Sequence, residues 1–185
     1  DILDQMYGIN LLANDGDASA SDTVVKPTLV STGISGTAHP DPIYKIKLNG
    51  VTAFCGSQGK HCRSYYTYKT GEGQYKKMNG PIGYIINNYK DSHTNMGTAM
   101  GQITIWAMQK HFSTKSQIFK FVLQCYDNQY RSGAMTYTQL ASITDSVIFY
   151  INRANANPMP YYIYYTDAQN AQVLFTADKV KGSTI

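Results

Sequence analysis

The sequence is short of charge. Only 15% of its 185 residues are Asp, Glu, Lys or Arg, and the formal net charge is +4. A nucleic-acid partner calls for a concentrated basic face, so that class is set aside. Arg63, Lys69, Lys76 and Lys77 do surround Tyr65, Tyr66, Tyr68 and Tyr75, but so few cations read better as a solvated loop than as a base-stacking groove. Long hydrophobic runs are also lacking. No window approaches about eighteen apolar residues, so no membrane insertion is expected. The opening Asp1-Ile2-Leu3-Asp4-Gln5 has neither a basic nor an apolar leader region, and a signal peptide is read as absent or already removed. There is no repeat, no low-complexity stretch, and no Gly/Ser- or Pro-rich linker that would divide the chain. Metal ligation has little support: His61 and Cys62 are adjacent, but no second ligand pair stands at site spacing. No metal and no cofactor is expected.

What is present suits one compact module. The hydrophobic fraction is 43%, enough for a single core over residues 1–185. Residues 1–22 are polar with weak periodicity and are expected to form a flexible or edge segment. Sixteen tyrosines, with many Asn, Gln, Ser and Thr, give a surface of the extracellular kind, because Tyr offers large amphipathic contact area at low entropic cost. There are three cysteines: Cys55, Cys62 and Cys125. Outside the cell an odd count flags one thiol with a task other than a disulfide. Three reduced structural thiols in a cytosolic protein are the alternative.

The periodicities give a coarse map. Residues 24–30 read as a strand that Pro27 confines to an edge, and 31–42 as loop. Residues 44–48 alternate apolar and basic, as a half-buried strand does. Asn49-Gly50 is the strongest short hairpin signal, and 51–55 is the returning strand, so Cys55 ends a hairpin. Residues 63–70 suggest a further strand. Pro81 suits the first turn of a helix carrying Ile82, Ile85, Ile86 and Tyr89. Met96, Met100, Ile103 and Ala107 share a second helical face, and Ile118, Val122 and Cys125 a third. Leu140, Ile143, Val147 and Ile151 mark a fourth, with Thr138 as its cap. Residues 161–165 and 172–176 read as closing strands. Strands, a helical middle and strands again predict an α+β fold: a β-sandwich or barrel-like body with an inserted helical subdomain.

Two short patterns carry chemistry. Phe54-Cys55 closes a strand, and Gly101-Gln102-Ile103-Thr104-Ile105-Trp106 lies on an apolar helix. Together they resemble the thioester domains of Gram-positive surface adhesins and pilus-tip adhesins, in which an aromatic-Cys pair meets a helix bearing a Thr-Gln-x-Ala-Ile-Trp type motif. Gln102, Ile105 and Trp106 match. Gly101 stands where Thr is usual and Thr104 where Ala is usual. The Gly is expected to loosen the turn before the helix. Gly83-Tyr84-Ile85-Ile86-Asn87-Asn88-Tyr89 and the Tyr-rich closing hairpin extend the resemblance over most of residues 43–176.

The resemblance implies a bond between the Cys55 sulfur and the Gln102 side-chain carbonyl. Cys is intrinsically nucleophilic and a carboxamide offers a carbonyl and an ammonia leaving group. Gln102 is expected in the first turn of its helix, where free backbone N–H groups would stabilise the oxyanion. Phe54 and Trp106 are candidates for excluding water. His61 is a candidate proton shuttle, histidine being the side chain that exchanges protons near neutral pH. With Cys55 so used, Cys62 and Cys125 are a candidate disulfide. The implied activity is covalent capture of an amine, in the first place a lysine, on a host-surface protein or other amine-bearing ligand. This is a single event rather than turnover. The implied place is extracellular, on the cell wall or a pilus tip, with further domains of the same adhesin beyond the Lys179–Ile185 linker-like end.

Three alternatives stay open. Thr138-Gln139-Leu140-Ala141 matches the Thr-Gln-x-Ala half of the motif but lacks the Ile-Trp half. A cysteine hydrolase or transglutaminase-like enzyme would pair Cys55 with His93 or His111. A Tyr-rich domain could also bind protein or glycan non-covalently.

Overall fold

In a computed structural model the chain is described over residues 23–184; the expectation for residues 1–22 lies outside that range. Among the described residues the strands are β1 (Thr23–Val25), β2 (Pro27–Ser31), β3 (Tyr44–Leu48), β4 (Val51–Cys55), β5 (Tyr68–Lys69), β6 (Lys76–Gly80), β7 (Met159–Tyr164), β8 (Leu174–Thr176) and β9 (Ser183–Thr184). The helices are α1 (Pro81–Tyr89), α2 (Asn95–Gln109), α3 (Lys115–Cys125), α4 (Asp127–Arg131) and α5 (Tyr137–Ala156), all between β6 and β7 in the chain. The fold is α+β, with a helical insertion and two antiparallel sheets. One sheet has the order β2-β3-β4-β8-β7-β6 and the other β5-β1-β9.

The β3–β4 hairpin forms where the Asn-Gly signal puts it. Asn49 and Gly50 have φ of 46° and 83°, the left-handed pair that a two-residue turn needs to match strand twist. Register follows: Ile46 faces Ala53 and Leu48 faces Val51. The sheet then continues from β4 to β8, with Cys55 opposite Leu174. The single strand expected over residues 24–30 is in fact two, in different sheets, broken at Lys26. Pro27 begins β2 at the sheet edge, where its missing N–H costs no ladder bond. Of residues 63–70 only Tyr68–Lys69 is strand.

Helix α2 positions the site. Thr94 caps it, its side chain accepting from Gly97 N at 3.0 Å. Every residue from 98 to 107 is buried, the mark of an enclosed helix rather than an amphipathic surface one. It packs on β3 and β4 on one side and on α1, α3 and α5 on others. Burial of Ile103 and Ile105, both 0% exposed, is worth about 1.5–3 kcal/mol each. Enclosure forces its polar residues to find partners. Thr104 Oγ1 donates to Met100 O at 2.6 Å, and Gln102 turns to β4.

Candidate functional site

Cys55 ends β4, and Gln102 stands in the middle of α2, eye to eye with it across 47 residues of sequence. The Cys55 backbone N–H donates to Gln102 Oε1 at 2.7 Å, and Gln102 Nε2 donates to the Cys55 carbonyl oxygen at 2.8 Å. The carboxamide is thus fixed at both ends against the backbone of the cysteine. Cys55, Gln102 and Trp106 are 7%, 2% and 3% exposed. They line a pocket of about 20 Å³, room for about one water.

Two expectations about this helix are corrected. Gln102 is not in the first turn, because Thr94 starts α2 two turns earlier. The donor facing its carbonyl oxygen is instead the N–H of Cys55 itself. Gly101 does not loosen a turn. A Cβ there would come within 2.9 Å of Phe54 Cε1 and of Tyr89 Cβ, so its absence lets α2 approach β4 and α1 closely.

The loop that leaves Cys55 is held by two more glutamines, which the sequence did not single out. Gln109 Nε2 donates to Gly56 O at 2.8 Å. Gln172 accepts from Ser57 N at 2.7 Å and donates to Lys60 O at 2.6 Å. Gln172 stands just before β8, between Ala171 and Val173, and is buried. The pocket is lined also by His39, Asp41, Pro42, Ile43 and Tyr44, likewise unanticipated. Asp41 accepts from Arg63 at 2.6 Å and faces His61 Nδ1 at 3.0 Å. Burial alone would raise the Asp41 carboxyl, but the hydrogen bonds from Arg63 and His61 outweigh it and hold it below the usual carboxylate range.

The other residues of interest fall as follows. Trp106 lines the pocket with its ring centroid 5.5 Å from that of His39. Its Nε1 is buried without a partner among the described residues. Phe54 packs in a separate cluster with Ile82, Ile85, Ile86 and Ile105 and does not line the pocket, as alternation along β4 requires. His61 is engaged with Asp41 and Arg63. Cys62 and Cys125 are both free and buried, so the candidate disulfide is not made. Cys62 instead lines the same pocket as Cys55, brought there by the loop over residues 56–61. Cys125 ends α3, where burial pushes its thiol up.

The alternatives lose their geometry. Gln139 is the third residue of α5 and completes a capping box: its Oε1 accepts from Thr136 N at 2.8 Å, and its own N–H donates to Thr136 Oγ1 at 3.2 Å. Thr136, not Thr138, is the cap. His93 and His111 are exposed and do not line the Cys55 pocket. Arg63 and Lys69 are neutralised by Asp41 and Asp167. Among the described residues no three His, Cys, Asp or Glu side chains form a metal-holding group, and no helix is long and apolar enough to cross a membrane.

No protein-family model and no curated protein matches the sequence. Solved structures do share the fold. The N-terminal thioester domain of fibronectin-binding protein SfbI from Streptococcus pyogenes aligns with a TM-score of 0.56 and 16% identity, over 86% of this chain and 95% of that one. The N-terminal domain of the Streptococcus pyogenes pilus tip adhesin Cpa aligns with a TM-score of 0.52 and 17% identity over the same shares. The resemblance carried by two short motifs therefore extends to the architecture of most of the chain.

Proposed function

We propose that Cys55 Sγ and Gln102 Cδ join in an internal thioester, and that the chain is an adhesin domain which uses this bond to capture a partner amine. The observation that carries the reading is the double hydrogen bond between the Gln102 carboxamide and the Cys55 backbone. It fixes the acyl group beside the nucleophile, and such orientation is worth effective molarities on the order of 10⁵ M or more. It also supplies the electrostatics. Attack on Cδ moves charge onto Oε1, which already receives the Cys55 N–H, a ready oxyanion donor in a water-poor site. The departing nitrogen starts on the Cys55 carbonyl oxygen. One S–C bond forms, one C–N bond breaks, and ammonia leaves.

The product is an activated acyl group in a pocket that holds about one water, which limits hydrolysis. A partner amine, a lysine in the first place, attacks the carbonyl and leaves an amide at Gln102 while Cys55 returns as a thiol. Each domain reacts once, so this is stoichiometric binding and not turnover. Extracellular display at a cell wall or pilus tip fits this use, with a host-surface protein or other amine-bearing ligand as partner.

The test is incorporation of a small primary amine. Native protein treated with methylamine should gain it at Gln102, located by peptide mapping, and expose one new thiol at Cys55. Incorporation at Gln139, or repeated turnover of an amide substrate, would contradict the reading.

A further inference from the structure

We propose that the indole N–H of Trp106 is the second donor to the Gln102 acyl oxygen when charge develops there, an inference that rests on the thioester reading above. Trp106 is 3% exposed, and its Nε1 is buried without a hydrogen-bond partner among the described residues. A buried donor left unpaired destabilises the fold, so its presence calls for a use. Packing is not that use. The ring lies 5.5 Å from that of His39, centroid to centroid, and a phenylalanine would fill a wall with no polar atom to satisfy.

The same helix offers the acceptor. Gln102 and Trp106 are four residues apart on α2, which sets them on one face, one turn above the other. Both line the pocket with Cys55. A carbonyl oxygen has two lone pairs. One on Gln102 Oε1 takes the Cys55 N–H at 2.7 Å, and the other has no donor among the described residues. The pocket's other side-chain donors are used elsewhere. Gln172 Nε2 donates to Lys60 O at 2.6 Å, and the ring nitrogens of His39 lie against the carbonyl oxygens of Asp41 and Cys125, the latter at 3.3 Å. Tyr44 is half-buried and Lys60 exposed, so water serves them.

The unmade bond is what gives the donor its effect. In the carboxamide the indole N–H and Oε1 are not bonded. Attack by Cys55 Sγ makes Cδ tetrahedral and lifts Oε1 out of the carboxamide plane as it gains charge. Loss of ammonia then removes the tie from Nε2 to Cys55 O, and the acyl oxygen turns toward the indole across a pocket of about 20 Å³. A donor unpaired in the ground state and paired in the transition state spends its whole strength on the rate. Amine attack on the thioester passes through the same oxyanion, so capture uses the same donor. The indole keeps its proton throughout, being a donor only.

The experiment compares wild type with Trp106→Phe, which keeps a ring in the wall and removes the N–H. Both are opened with ammonia, which restores the Gln102 carboxamide, and moved to ammonia-free buffer while intact mass follows the return of the one-ammonia deficit. The thioester carbonyl stretch is read by infrared on protein labelled with ¹³C-glutamine. The expected result is bond formation and methylamine capture both slowed about 10²-fold, with the stretch moved to higher frequency by loss of a hydrogen bond. Unchanged rates overturn the role of Trp106 alone, and so do slower rates with an unmoved stretch, which would mark a packing effect. Wild type that never shows the deficit overturns the thioester reading and this inference with it. If Trp106→Phe does not fold, the indole proton resonance decides, since Trp106 is the sole tryptophan of the sequence. A resonance at lower field in wild type than in Cys55→Ala supports the bond, and coincident resonances overturn it.

Discussion

Gln102 Oε1 lies 2.7 Å from the backbone nitrogen of Cys55, and Gln102 Nε2 lies 2.8 Å from the same residue's carbonyl oxygen. One side chain thus satisfies both backbone polar groups of Cys55, the last residue of β4. In a Cys55→Ala background, where Gln102 keeps its carboxamide, Gln102→Ala strands both, at about 1–3 kcal/mol for each buried group. The expected drop in unfolding temperature is roughly 2–4 °C per kcal/mol for a chain of this size. Gln102→Glu should cost at least as much, since a carboxylate cannot donate to Cys55 O and brings a charge into a buried site. Thermal unfolding checks both; an unshifted midpoint would mean that these bonds are not made.

Gly101 decides how near α2 comes to β4. Gly101→Ala pushes a methyl group against Phe54 and Tyr89, an overpacking of about 1–3 kcal/mol. The helix must shift by some tenths of an ångström, and Gln102 moves with it. The expected outcome is a folded, less stable protein with a reduced fraction of thioester by intact mass. Full formation at wild-type stability would show that the approach is not tight.

Gln139 should matter to stability and not to chemistry. Gln139→Ala removes half of a capping box on exposed backbone, a loss of about 1 kcal/mol. The thioester content should stay that of wild type. A variant that lost the bond would reverse the assignment of the two glutamines.

Asp41 gives an acid-side dependence. Its carboxyl is depressed in the fold because the bonds from Arg63 and His61 outweigh burial, so the unfolded chain binds that proton more readily. The stabilisation is complete above the ordinary value of 3.8 and is lost as pH falls through the lowered folded value. Wild type should therefore lose stability on acidification more steeply than Asp41→Asn. Unfolding temperature against pH for the two proteins is the check, and parallel curves would count against the Asp41 cluster.

Much of this was legible in the sequence where local chemistry decides. Asn49-Gly50 fixed the hairpin that presents Cys55, and the apolar periodicities located α1, α2, α3 and α5. What failed was set by distant partners. Lys76–Gly80 has no strand-like alternation, yet it pairs along β7 from Ile163 to Met159. Thr94 is an ordinary cap signal two residues before Met96, and counting from it puts Gln102 two turns into α2 rather than in its first turn. With Cys55 assigned to the bond, the sequence leaves Cys62 and Cys125 as a pair, yet both are free thiols. An irregular loop pinned by Gln172 brings Cys62 to the Cys55 pocket, and no periodicity reports such a fold-back. His39 and Asp41 lie in a Pro-flanked loop whose role depends on what it covers.

The central claim is the covalent bond between Cys55 and Gln102, and intact mass of freshly purified, never-denatured protein tests it most directly. The account requires a mass lower than that of the sequence by one ammonia, absent in Cys55→Ala and in Gln102→Ala and retained in Gln139→Ala. A wild-type mass equal to that of the full sequence would contradict it.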